Sequence, residues 1–180
     1  MDKKILVAYT SKYGSTKQYA QWIAEALDAA LAEGGALKPI DLMGYDVVIY
    51  GGGLYAGGIA GVRLVTQPPP KKTLKKTKFV VFTVGLADPE TTDYSGIIQK
   101  AFTPEQREKI SLFHLRGGVD YSRLGNADKI LMHMMKRHTQ RKPEADRTED
   151  DRIFLETYGG QIDFSDKDTI SPLVEFVNNL

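Results

Sequence analysis

The sequence predicts an open, doubly wound parallel α/β sheet, and three observations predict it. Strongly apolar runs stand at residues 5–9 (ILVAY), 47–50 (VVIY), 79–84 (FVVFTV) and 111–116 (SLFHLR). Each run gives way to glycine or to small hydroxylated residues, and stretches of helical periodicity lie between them. Near-continuous apolar runs suit parallel strands covered on both faces, and alternation of strands with helices implies a parallel sheet. In such sheets ligands lie at the carboxyl ends of strands, beside the switch in strand order. The loops after Tyr9, Tyr50 and Val84 are therefore the places to look.

Taken in order, the first strand feeds a helix predicted over residues 15–33. Tyr19, Ile23, Ala26, Ala30 and Leu31 recur there at helical spacing, and Gly34 and Gly35 close it. A brief edge strand is expected within residues 36–42, interrupted by Pro39. Asp46 introduces the next strand, which ends in three glycines, and a short helix follows at 59–66. Pro68, Pro69 and Pro70, with Lys71, Lys72, Lys75, Lys76 and Lys78 after them, read as a solvated connector. A helix over 94–109 joins the last two strands. Residues 117–167 separate the fourth strand from a final helix at 168–178. That gap far exceeds the usual strand–helix connection of about 2–6 residues. It reads as an insertion in a single domain of residues 1–180, with a helix at 126–138 and a charged stretch at 141–152.

Composition narrows the chemistry. The chain has no cysteine, which excludes disulfides, thiolate catalysis and Cys-ligated zinc or iron–sulfur sites. A formal charge of +1 argues against global steering toward nucleic acid. No apolar run approaches the roughly 20 residues of a membrane span, and MDKK leads straight into the first strand. The expectation is a soluble, cytoplasmic protein. His133 and His138 are poorly spaced for a shared metal, His114 reads as a histidine satisfied within the sheet, and no metal site is expected.

The first loop carries most information. Thr10, Ser11, Ser15 and Thr16 offer hydroxyls around Gly14, just where a helix begins. Backbone N–H groups and hydroxyls converging at a helix N-terminus form a phosphate site. The rival reading is an ordinary cap, one Ser or Thr satisfying its own helix. G-x-x-x-x-G-K-[ST] is absent, so this is not a triphosphatase loop. Tyr9 and Thr10 stand where a response regulator would have a carboxylate. The pattern suits a static monophosphate. The second loop, residues 51–56 (GGGLYA), matches the dinucleotide fingerprint G-x-G-x-x-G/A, but no acid occurs between Asp46 and Asp88 to hold a ribose. Glycines followed by Tyr55 suit a flat ring laid against backbone. The third loop, residues 85–89 (GLADP), would meet that ring's polar edge.

These three loops resemble those of the flavodoxin-like proteins. Ser11, Lys12, Tyr13, Gly14, Ser15 and Thr16 look like the family's phosphate loop. Gly52, Gly53, Leu54 and Tyr55, with Val84, Gly85 and Leu86, look like its two flavin-ring loops. The resemblance covers roughly residues 3–118 and the final helix, and implies a flavodoxin-like fold with bound FMN. Residues 115–124 (LRGGVDYSRL) and the Met-rich basic helix after them are most similar to menaquinone-dependent protoporphyrinogen dehydrogenases and related flavodoxin-domain proteins. Electron-shuttle flavodoxins are markedly acidic, whereas this chain is balanced, and its third loop lacks a covering aromatic.

The resemblance thus implies an FMN-dependent oxidoreductase acting on a lipophilic quinone- or porphyrinogen-type molecule, or a carrier serving a redox partner protein. An interaction module with a decayed flavin site is the reading from another class. On residues 126–138, Ala127, Ile130, Leu131, Met134 and Met135 form an apolar stripe bordered by Lys129, Lys136, Arg137 and His138. It reads either as a packed helix with core methionines or as an adaptable surface, including peripheral membrane contact through residues 127–135.

Overall fold

The computed structural model describes residues 3–67 and 77–180; most of the expected connector, residues 68–76, lies outside them, and Lys78, read as its end, instead opens a strand paired with Val47. Strand β1 (Ile5–Thr10) leads into helix α1 (Ser15–Ala26), then β2 (Ala30–Glu33). Next come β3 (Val47–Tyr55), β4 (Gly58–Ile59), α2 (Arg63–Thr66), β5 (Lys78–Gly85), α3 (Ser95–Ala101), α4 (Pro104–Arg107) and β6 (Ile110–Arg116). The main sheet runs β2-β1-β3-β5-β6, all parallel, with β4 antiparallel on β3. Strand order reverses at β1, so the carboxyl ends of β1 and β3 flank the crevice.

Alternating strand residues divide between two cores. Val7, Ile49, Val80 and Phe82 face Tyr19 and Ile23 of α1 and Leu173 and Val177 of the last helix, α7 (Ser171–Asn178). Leu6, Val48, Tyr50 and Val81 face Leu42, Leu64, Val65 and Phe102 on the other side. This is the doubly wound arrangement expected.

Several boundaries differ from expectation, each for a physical reason. The helix expected over 15–33 ends at Ala26. Asp28 turns the chain at φ 48°, and Ala30 to Glu33 pair along the open edge of β1; a ladder on a waiting edge outweighs the helix preference of alanine. The edge strand is thus β2, and the region expected as strand holds 3₁₀ turns at Gly34–Ala36 and Pro39–Gly44. The second loop is largely strand, because β3 runs through its glycines to Tyr55 and hairpins into β4. Ala56 (φ 48°) and Gly57 (φ 74°) form the two-residue turn. The short helix expected at 59–66 is confined to α2. The helix expected at 94–109 is split, since Phe102 is extended and Thr103 caps a new helix at Pro104.

The insertion after β6 has its own small sheet. β7 (Gly118–Asp120) pairs antiparallel with β8 (Gln161–Asp163), and between them lie α5 (Asn126–Arg141) and α6 (Glu149–Thr157). The Tyr19 hydroxyl donates to the Arg116 carbonyl at 2.7 Å and accepts from the Asp166 N–H at 3.0 Å. One side chain of α1 thereby pins both ends of the insertion.

Candidate functional site: an uncapped helix start beneath three loops

Helix α1 begins at Gly14, whose φ of 109° favours glycine, and no side chain caps it. The nearby hydroxyls are engaged elsewhere. The Tyr50 hydroxyl lies 2.7 Å from the Ala60 carbonyl and 2.8 Å from Thr10 Oγ1. It has one proton and the carbonyl can only accept, so Tyr50 donates to Ala60 and Thr10 donates to Tyr50. Burial pushes Tyr50 up to about 12, which keeps that proton in place. Ser11 Oγ accepts from the Gly14 N–H at 3.1 Å, and Ser15 Oγ accepts from the Gly118 N–H at 3.3 Å. The first α-helical bond here runs from the Gln18 N–H to the Gly14 carbonyl, leaving the N–H groups of Ser15, Thr16 and Lys17 without helical acceptors. Ser11 and Ser15 each keep a hydroxyl proton to donate, and the Thr16 hydroxyl makes no hydrogen bond among the described residues. The ordinary-cap reading does not hold, and Thr10 drops out of the donor set.

The expected loops do converge. Tyr55 of β3 meets Tyr13 edge to face, with ring centres 6.2 Å apart, and the Lys12 ammonium lies over both rings at 5.8 and 5.3 Å. Leu54 packs on Gly85, where an added Cβ would lie 3.0 Å from its methyl carbon. A Cβ at Gly117 would meet Val84 at 2.6 Å and Ser15 at 3.1 Å. The glycines of β3 also serve the protein's own packing. Phe82 fills the space beside Gly51, Ile59 and the Ala60 carbonyl that beside Gly52, and the Tyr55 ring that beside Gly53.

The insertion supplies contacts that sequence reasoning missed. Asp128 of α5 accepts from both Lys12 and Tyr13, and these donors hold its carboxyl below the usual range. The Tyr13 hydroxyl in turn accepts from the Gly125 N–H at 3.2 Å. Arg116 donates from Nε to the Leu86 carbonyl at 2.8 Å and pairs with Asp150. Asp150 also accepts from the Asp88 N–H at 2.6 Å. Two insertion carboxylates therefore grip the first and third loops. Arg116, at the end of a strand, carried a positional signal; Asp128 and Asp150 carried none. His114 is paired, its Nδ1 lying 2.6 Å from Thr83 Oγ1 and its ring stacked on Tyr94 at 3.8 Å.

The flavodoxin-domain family model matches residues 6–146. The chain belongs to the flavodoxin-domain family. No curated protein matches it. Among solved structures it is similar to a flavodoxin, WrbA-like protein from Agrobacterium tumefaciens, at 21% identity over 61% of this chain and 75% of that one, TM-score 0.45. It is also similar to a flavodoxin from the domain Archaea, at 11% identity over 85% and 94%, TM-score 0.43. A flavoprotein in complex with FMN from Lactobacillus acidophilus NCFM matches at 18% identity over 63% and 93%, TM-score 0.40.

The cofactor of a flavodoxin domain is FMN, and the donors present fit it. A phosphate monoester needs several converging donors and no metal. Three N–H groups and the hydroxyls of Ser11, Ser15 and Thr16 stand at the start of α1. The carbonyls of Gly85 and Leu86 and the N–H of Asp88 are already engaged by Gly117, Arg116 and Asp150, so those groups brace the third loop.

Proposed function

We propose that this flavodoxin-domain protein is an FMN-dependent oxidoreductase that passes electrons between a reductant and a quinone-type acceptor. When bound, FMN supplies reversible electron acceptance, while the protein sets its position and access. The observation that carries the reading is the uncapped start of α1, with donors left unspent. Ser11, Ser15 and Thr16 anchor the phosphate, Gly14 gives it close approach, and Tyr13 and Tyr55 wall the adjoining space.

The acceptor class is supported by a second feature. A cavity of about 170 Å³ lies between the third loop and the insertion, lined by Leu86, Ala87, Val119, Ile153, Phe154 and Phe164. An apolar void of about 150 Å³ accommodates one benzene ring, so this space suits a quinone head group. Tyr121 also lines it, and its hydroxyl has no partner among the described residues. Burial, with Tyr158 alongside, pushes that hydroxyl up to about 12, so it keeps its proton. The similarity of residues 115–124 to menaquinone-dependent protoporphyrinogen dehydrogenases supports the same class.

Two experiments test these statements separately. The purified protein should be yellow and release FMN on acidification. Ser11→Ala with Thr16→Val should weaken FMN binding by about 10- to 100-fold per lost bond, since hydrogen bonds to a charged acceptor are worth on the order of 1.5–3 kcal/mol. Colourless protein that refuses added FMN ends the flavin reading. Filling the cavity with Ile153→Trp should abolish quinone reduction while the reduced protein still discharges to ferricyanide. Unimpaired quinone turnover would favour the alternative, a carrier to a protein partner.

A further inference from the structure

Helix α5 presents part of its apolar stripe to solvent, the second of the two readings that stripe allowed. Of its apolar residues only Met132 is fully buried, with Thr139 beside it in the helix's inner face. Ile130 and Met134 are each 63% exposed and Met135 46%. The packed-helix reading of its methionines therefore fails for most of them. Ala127, Ile130 and Met134 form an outward row at three- and four-residue spacing, and half-buried Leu131 flanks it.

Charge completes the pattern. The helix carries Lys129, Lys136, Arg137 and Arg141 against a single acid, Asp128. That acid is turned inward onto Lys12 and Tyr13. Lys129, Arg137 and Arg141 pair with no carboxylate among the described residues. Apolar side chains bordered by unpaired basic ones, with no acid facing out, match an anionic lipid surface. At 16 residues α5 is too short and too charged to cross a bilayer, so it would lie in the interface plane.

We propose that the exposed face of α5 is a docking surface for an anionic membrane. Ile130 and Met134 enter the acyl boundary, and Lys129, Arg137 and Arg141 meet the headgroups, while Met135 lines the inner cavity. Because α5 starts against the phosphate loop through Asp128 and Gly125, docking brings the cofactor end of the sheet to the lipid. Its use, access to a lipid-dissolved acceptor, rests on the quinone reading; the binding itself does not.

The test is co-sedimentation of the FMN-loaded protein with vesicles of phosphatidylcholine plus phosphatidylglycerol, and with phosphatidylcholine alone. Binding is expected to the anionic vesicles only, falling as salt rises. Lys129→Gln with Arg137→Gln should weaken it by about fivefold per residue. Ile130→Asp with Met134→Asp should abolish it at unchanged FMN content and thermal midpoint. No sedimentation of the wild type, equal binding to neutral vesicles, or binding that survives in the Ile130→Asp/Met134→Asp protein overturns the proposal. The last result would move the contact away from α5. A wild-type dimer that this variant dissolves, without vesicle binding, would make the face a self-interface. Vesicle binding is read without turnover, so its failure is distinct from failure of the flavin reading.

Discussion

The main sheet and the insertion are held together by different forces. In the sheet, Val7, Ile49, Tyr50, Val81 and Phe82 are wholly buried, and helices cover both faces. In the insertion the buried cluster is Tyr121, Leu124 and Met132, with Phe154 and Tyr158 packed against it, and α6 has no fully buried residue. Tyr13 and Leu86 pack on that cluster from the first and third loops, and polar contacts fasten the insertion beside them: Asp128 on Lys12 and Tyr13, Asp150 on Arg116 and the Asp88 N–H, and Tyr19 at its two ends. The sheet is thus fixed by apolar burial. The insertion is clamped onto the very loops that would hold the cofactor, so its attachment and cofactor binding should be coupled.

The largest test of that contrast is truncation of one aromatic in each region. Phe82→Ala should cost about 3–5 kcal/mol, as for a buried core phenylalanine. Phe154→Ala, half-buried in the thin cluster, should shift the same urea transition by about 1 kcal/mol or less. Trp22 is the chain's one tryptophan and packs against the sheet core, so its fluorescence reports that transition. Equal losses would mean the two regions unfold as one body.

A smaller effect comes from cutting one clamp. Asp150→Ala leaves Arg116 and the Asp88 N–H without their acceptor, a loss of roughly 1–3 kcal/mol for partly buried groups. Hydrogen exchange should quicken at the Asp88 amide and along α6 while the amides of β3 and β5 keep their protection. Faster exchange throughout the sheet would contradict a local clamp.

The smallest effects are set by pH and separate the regions by window. Burial holds His114 below the ordinary imidazole value of 6.5, so the fold favours its neutral form. Above that pH it contributes no slope. As pH falls below 6.5 the unfolded chain takes up the proton first, and sheet stability declines toward the folded-state value. Replacement His114→Asn should flatten that segment of the Trp22 midpoint against pH. Asp128 is held below 3.8 chiefly by the hydrogen bond from Lys12 and then by that from Tyr13. Its contribution is present above 3.8 and is lost as pH falls through the lowered value. Exchange at the Gly125 amide should quicken only in that acid window, and Asp128→Asn should remove the dependence.

The sequence determined the parts whose signal is local. Four apolar runs placed β1, β3, β5 and β6, and the cluster of hydroxyls around Gly14 marked the loop that starts α1. The α6 capping box, in which Thr148 and Asp151 bond each other's backbone N–H groups, was equally legible and lay unused inside a stretch read only as charged. Other features were decided by tertiary structure. Alanines that favour helix became β2 because β1 offered an open edge. Three glycines read as a loop became strand because Phe82, Ile59 and Tyr55 needed the space beside them. Ala56 took a positive φ that no Asn–Gly signature announced.

The opening hydroxyls looked interchangeable in sequence, yet Tyr50 engages Thr10 while Ser11, Ser15 and Thr16 keep protons to donate. On α5 the same apolar stripe allowed a core helix or a surface. Only the thinness of the insertion beneath it left Ile130 and Met134 in solvent. A periodic pattern gives the direction in which a helix is apolar, and the fold decides whether anything stands there to cover it.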